Sequence, residues 1–500
     1  MSTANRANGW PRYSKARTPA EAQTALMLEE YGDYLEPGPP NWRETGSIRY
    51  FVRRGFVLVR DAYADRARAI LEAVDMRPRP DAVRAAAERP EADRRPEVPL
   101  DGDIAYGLRY LQIRQDDNRT VFDAMHFLRT GVFDGDGRRT HDPLSPDVVG
   151  LEHLVHITDH TGGCPADEPT PVPPHTPPDP PVAADRCAGQ GIRVVVVDTG
   201  WDERAAQLPW LVGVAGDPDA GIDGKTIGRY AGHGTFIAGV VRTMAPAAEV
   251  IVRSGLAAIL HQPEIAVHTP APQRATTPPG TSFERELAIV LERCLREDAP
   301  DVISLSAGTL TEEPTRLMLL DGFNDHVLRR YKGVVVVAAA GNDGQRAPFW
   351  PAAGKWAVGV GALAPHWRTR AHFSNFGAWV DVYAPGEHLI NAFASGVYTY
   401  GEPPRKGAKQ RFEGMAIWSG TSFSTPMVAG LIAARMARTG ENGPAAAAAL
   451  IAQARRDAIP GVGAILLPTD SSTCGGCRSE NCSGRRPNCS CRPENCSRPY

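Results

Sequence analysis

Hydrophobic positions along the chain fall into two regimes on either side of a proline-rich break. Before it, "RYFVRRGFVLVRD" (49–61) reads as a strand, and "YADRARAILEAV" (63–74) repeats its apolar residues at the three-to-four spacing of a helix. "AYGLRYLQIR" (105–114) is strand-like again, "NRTVFDAMHFLRTG" (118–131) reads as a helix closed by glycine, and "LEHLVHIT" (151–158) as a last strand. The pattern predicts a small α+β module over 45–160, preceded by a flexible segment, 1–44. Within the module, "MRPRPDAVRAAAERPEADRRPEVP" is rich in charge and proline and reads as a solvated insertion.

The break itself, "DEPTPVPPHTPPDPPV" (167–182), has too many prolines for helix or central strand, and residues 161–186 read as a semi-rigid linker. Beyond it, short apolar runs ("IRVVVVD", "AEVIVRSG", "VISLSAG", "GVVVVAAAG") alternate with helical patterns ("GTFIAGVVRTMA", "FERELAIVLERCLRED", "LMLLDGFNDHVLRRY"). Strands apolar on both faces, each followed by a helix, predict a three-layer α/β domain around a parallel sheet over 187–470.

Composition narrows the partners. Formal net charge is -3 over 500 residues, which offers no basic footprint for nucleic acid or anionic lipid, and neither partner is expected. No apolar run reaches the eighteen or so residues of a membrane span, and the first residues lack a signal-peptide pattern, so a cytoplasmic location is expected. Of nine cysteines, Cys164, Cys187 and Cys294 are scattered and read as reduced or indifferent; six crowd into the tail, 471–500, whose single C-x-x-C lacks a nearby histidine and makes a thin case for zinc.

Parallel sheets covered on both faces place ligands outside the carboxyl ends of their strands. Asp198 (in "VVVVDTG"), Gly308 (in "VISLSAG") and Asn342 (in "VVVVAAAGN") sit at such ends and share one rim. His233 lies between glycines in "YAGHGTFIAGVV", and Ser422 opens the helix in "WSGTSFSTPMVAGLIAARMA", where a helix N-terminus favours negative charge. Singly, each has a bland reading: a turn aspartate, a structural histidine, an N-cap serine, a turn asparagine. An aspartic-protease reading of Asp-Thr-Gly needs a second such motif, and the chain has none. A nucleotide site would need a glycine-rich phosphate loop, also missing.

Together these segments resemble the subtilisin-like (S8) serine peptidases: "VVVVDTG", "GHGTFIAGV", "SLSAGT", "AAAGN" and "SGTSFSTPMVAG" occur in family order over about 187–470. The resemblance implies a serine endopeptidase acting on protein or peptide substrates, with Asp198 as orienting acid, His233 as general base, Ser422 as nucleophile and Asn342 as oxyanion-hole amide. It further implies that Ser306, Ala307 and Gly308 pair with substrate backbone, that "PPGTSF" (278–283) supplies the opposite edge, and that "FWPAAGKW" (349–356) walls a pocket. Catalysis of this kind requires no cofactor; structural calcium is common in the family, but no loop here is assigned to it. The amino-terminal module has the element order of the family's inhibitory prodomains, implying an intramolecular inhibitor severed near the linker. A permanently attached partner-binding domain is the alternative for the module, and a catalytically inactive peptide-binding relative is the alternative for the whole.

Overall fold

The structure is a computed structural model that describes residues 11–78, 99–114, 119–157, 167–256, 280–312 and 316–468. In the module, a four-stranded antiparallel sheet runs in the order Ile104–Ala105, Leu108–Gln112, Phe56–Arg60, Val149–Gly150. Alternation divides its faces. Val57, Val59 and Leu111 meet the helices Ala64–Ala73 and Val121–Thr130, whereas Phe56, Leu58, Leu108 and Tyr110 pack on Met318 and Leu319 of the larger domain. Thr120 caps the second helix, its hydroxyl and the Asp123 carboxylate satisfying each other's backbone N–H.

The apolar run at 49–61, expected as one strand, is two. Gly55, at φ 82°, turns the chain between Tyr50–Arg53 and Phe56–Arg60, and the first of these pairs instead with Leu35–Gly38. Residues 11–44, expected to be flexible, carry a helix, Pro19–Tyr31, started by Thr18, whose hydroxyl accepts from Glu21 N, and by Pro19. Its Met27, Leu28 and Tyr31 bury against Leu35 and Trp42 of the same segment and Phe51 of the module, in a cluster that also holds Leu154 and Phe283.

In the larger domain seven parallel strands run in the order Ala215–Gly216, Glu249–Ser254, Arg193–Asp198, Val302–Leu305, Val335–Ala339, Ala357–Leu363, Val382–Pro385. Val194 and Val196 face the helices His233–Met244, Thr421–Thr439 and Gly443–Arg456. Val195 and Val197 face Glu284–Arg293 and Met318–His326. This is the three-layer α/β arrangement that the apolar strands predict.

The proline-rich stretch is not a free linker from 167 onward. Thr170–Pro171 adds an edge strand to the antiparallel pair Lys409–Trp418 and Leu389–Thr399, Asp179 bridges to Ile390, and Ala183 N donates to Thr243 O. Glu168 is buried and accepts hydrogen bonds from Gly401 N at 2.8 Å and the Tyr398 hydroxyl at 3.1 Å. Prolines tolerate an edge position because they owe the ladder no N–H on the solvent side. Cys187 is disulfide-bonded, against the expectation of a reduced body; Cys294 is free and buried. The tail at 471–500, most of the insertion at 76–99 and nearly all of residues 256–278 lie outside the described residues. No helix among the described residues is long and apolar enough to cross a membrane.

Candidate active site

Three of the four candidate residues sit where strands or helices of the parallel sheet begin or end at its carboxyl rim. Asp198 ends the strand Arg193–Asp198 and is fully buried. Its carboxylate lies 2.8 and 3.0 Å from His233 Nδ1. A carboxylate can only accept, so the shared proton sits on Nδ1 and Nε2 is left as the basic nitrogen. Asp198 also accepts from Thr199 N at 2.8 Å.

His233 begins the helix His233–Met244, behind Gly232 at φ 85°. A Cβ at 232 would lie 2.7 Å from the Phe393 ring, so glycine alone fits there. Trp418 meets the imidazole edge-on at 5.3 Å between centroids, and Phe423 lies tilted at 5.4 Å. His233 Nε2 is buried and has no hydrogen-bond partner among the described residues.

Ser422 is the second residue of the helix Thr421–Thr439. Its hydroxyl does not bond His233 in this structure: it donates to Ile157 O at 3.1 Å, with Ser306 O at 3.5 Å. Asn342 Oδ1 accepts from both Thr421 N and Thr421 Oγ1 at 2.9 Å, which fixes the amide and leaves its NH2 as the end turned away from Thr421.

Two backbone edges flank Ser422, and the chain's own strand Leu154–His156 lies between them. Thr281–Phe283 pairs antiparallel with it, Ile157 N donates to Gly280 O at 3.0 Å, and on the other side His156 and Gly308 exchange bonds of 3.1 and 3.0 Å. A Cβ at Gly308 would overlap the Phe349 ring and stand 2.6 Å from Trp350 O, so the edge keeps its close approach only with glycine. Ala307 is buried beside it, and the Ser306 hydroxyl donates to Ser422 O at 2.8 Å. Phe349, in the segment expected to wall a pocket, stands against the His156 ring.

The module-to-domain contact around this strand is charged and buried. Arg53 reaches Glu152 of the module and Glu286 of the larger domain, at 2.9 Å for the latter, and its guanidinium lies over the Phe283 ring at 3.7 Å. His153 Nδ1 lies 3.3 Å from Glu284 Oε1, whose second oxygen accepts from Leu319 N. Burial raises the Glu284 carboxyl above its ordinary range, opposed by the bond to His153.

Glycine and hydrophobic spacing gave no sign of one further carboxylate. Asp219, in the turn-rich "GDPDAGIDGK", is buried, and burial pushes it up to about 6, with three accepted hydrogen bonds opposing and the charge of Asp198 adding. Among the described residues no group of three or more His, Cys, Asp or Glu could hold a metal ion.

Comparison with known proteins decides the family. The model of the Subtilase family matches residues 189–466, more than half of the chain. The chain belongs to the subtilases. A thermophilic serine proteinase from Bacillus sp. (strain AK1) is 31% identical over 264 residues, 50% of this chain and 53% of the relative. Thermitase from Thermoactinomyces vulgaris is 30% identical over 253 residues, covering 50% of this chain and 77% of thermitase. This subtilase thus spans about half the length of the first relative. Among solved structures, a cold adapted subtilisin-like serine proteinase aligns over 57% of this chain and 90% of its own, at 20% identity and a TM-score of 0.41.

Proposed function

We propose that this subtilase is a serine endopeptidase whose own amino-terminal module occupies the substrate groove as an intramolecular inhibitor. The observation that carries the reading is a peptide strand paired on both sides, its Ile157 carbonyl at the Ser422 hydroxyl, beside a buried Asp198–His233 pair. Backbone pairing on both edges tolerates many sequences, with side-chain pockets adding preference. Val155 and Ile157 are buried in one cluster with Tyr230, Leu256 and Leu287, so apolar residues are favoured at these alternate substrate positions.

In the proposed reaction Ser422 Oγ attacks the scissile carbonyl while His233 Nε2, unpartnered in the latent form, takes its proton. Asp198 holds the imidazole and stabilises the imidazolium that forms. The oxyanion is received by the Asn342 NH2 and the Ser422 backbone N–H. His233 then returns the proton to the leaving amine, giving an acyl-enzyme on Ser422 that water resolves. No metal takes part in these steps, and structural calcium stays without an assigned site.

The module is severed between Ile157 and the start of the domain, and the strap from Asp167 onward stays with the peptidase. Full-length wild type and Ser422→Ala, each incubated with casein and followed by gel and intact mass, test both parts. Casein cleavage by wild type alone, with trimming of its own chain between Ile157 and Asp167, is the expected result. Casein left whole by both, with no serine-directed phosphonate bound to wild type, would instead establish an inactive peptide-binding relative.

A further inference from the structure

The Asp198 turn and the start of the His233 helix come from different parts of the chain, yet a third loop joins them. Gly200 packs so tightly on this loop that a Cβ would lie 2.6 Å from Pro218 O, and Asp219 N donates to Trp201 O at 3.0 Å. The Asp219 carboxylate then reaches both catalytic turns with one oxygen. Oδ2 accepts from Thr199 Oγ1 and from Gly232 N, each at 2.8 Å, while Oδ1 accepts from Gly221 N at 2.9 Å. Thr199 Oγ1 in turn accepts from Gly234 N at 3.3 Å. Thr199 adjoins Asp198, and Gly232 and Gly234 flank His233.

We infer that Asp219 is a positioning residue for the catalytic pair, locking the turn that carries Asp198 to the helix start that carries His233. The chemistry explains why a separate loop must supply this carboxylate. The residue before His233 has to be glycine, which has no side chain to cap its own helix, so the Gly234 N–H is taken by Thr199 Oγ1 and the Gly232 N–H by the Asp219 carboxylate that also holds that hydroxyl. An acid at a helix N-terminus is also favoured by the exposed N–H groups there. Its three donors are neutral, so the carboxylate is held by hydrogen bonds alone and the pair it orients is aligned without a competing cation.

The inference rests on the peptidase reading above, and its test separates the two. In Asp219→Asn, the amide oxygen can keep the bonds from Thr199 and Gly232, but its NH2 faces the Gly221 N–H; Asp219→Ala loses all three. In the self-processed enzyme, kcat per phosphonate-titrated Ser422 should fall roughly 10- to 100-fold for Asn and further for Ala, the range expected of a misplacement near 1 Å. KM should change less than about twofold, because uniform binding is untouched when the residue meets no groove edge. A merely structural role would lower the titrated fraction and leave the rate per site intact. The second readout needs no turnover: in full-length chain carrying Ser422→Ala, the proton on His233 Nδ1 is followed by NMR with labelled histidine. Asp219→Asn should shift and broaden that signal. An unmoved signal together with an unchanged rate per titrated site would overturn the positioning role. If wild type bound no phosphonate, the peptidase reading would fall, and the imidazole signal would decide the positioning role by itself.

Discussion

Removing the Arg53 guanidinium should loosen the strand Leu154–His156 from the edges that flank it. Arg53 is 4% exposed and stands between Glu152, fully buried, and Glu286, with Phe283 beneath it. Arg53→Met leaves the buried Glu152, and Glu286 at 24% exposure beside it, without their cation, a defect whose upper range is about 3–5 kcal/mol. At 1.36 kcal/mol per tenfold, the docked state should weaken by at most about 10²–10⁴. The assay is amide hydrogen exchange at Val155 to Ile157 in chain carrying Ser422→Ala, where protection reports opening of the paired strand. Adding Glu152→Gln and Glu286→Gln to Arg53→Met should restore most of the protection, since the unpaired charges are then gone. Unchanged exchange in Arg53→Met would refute the argument outright. A triple variant as loose as the single one would show that lost packing on Phe283, not stranded charge, is the cause.

Asn342→Ala should lower kcat by about 10²–10³ with KM little changed, measured on a chromogenic peptide after self-processing. Gly308→Ala should cut kcat/KM on casein by roughly 5- to 150-fold, the effect of about 1–3 kcal/mol of overpacking at a groove edge, while a small phosphonate still labels Ser422. Glu402 accepts from the Gln23 amide, and burial, aided by nearby Glu168 and opposed by Arg229, pushes its carboxyl up to about 8. An acid with a raised docked value holds its proton more tightly when docked, so this contribution is full below its ordinary value and is lost as pH rises through about 8. Trypsin cleavage within residues 11–31 of the Ser422→Ala chain should therefore speed up from neutral to alkaline pH, and Glu402→Gln should flatten that dependence.

The rim was legible because each of its residues is tied to a strand end or helix start that apolar runs mark in the chain. Asp198, Asn342 and Ser422 follow runs of valine, alanine or small residues whose periodicity leaves little choice of structure. The arm was harder: the apolar residues of Pro19–Tyr31 are spread around the helix because it is covered on more than one side, so no amphipathic stripe appears. The Thr-Pro-x-Glu at 18–21 was the available signal, a capping sequence with proline at the first helical position. The strap defeats reading for another reason. A two-residue edge strand at Thr170–Pro171 is too short to leave a pattern, and its anchor, Glu168, is a charge that burial rules place outside. Asp219 is hidden similarly, since a turn aspartate and a bridging one look alike until the two partners it joins are brought together.

The strand at Ser422 also has a kinetic meaning. A chain that carries its first substrate in its own groove meets it at an effective concentration set by the fold and not by the flask. The proposed first cut is then unimolecular, with a half-time that dilution leaves unchanged, whereas every later cut of another molecule slows in proportion to concentration. A population of latent molecules would therefore begin to fire at a fixed time after folding, however few of them there are.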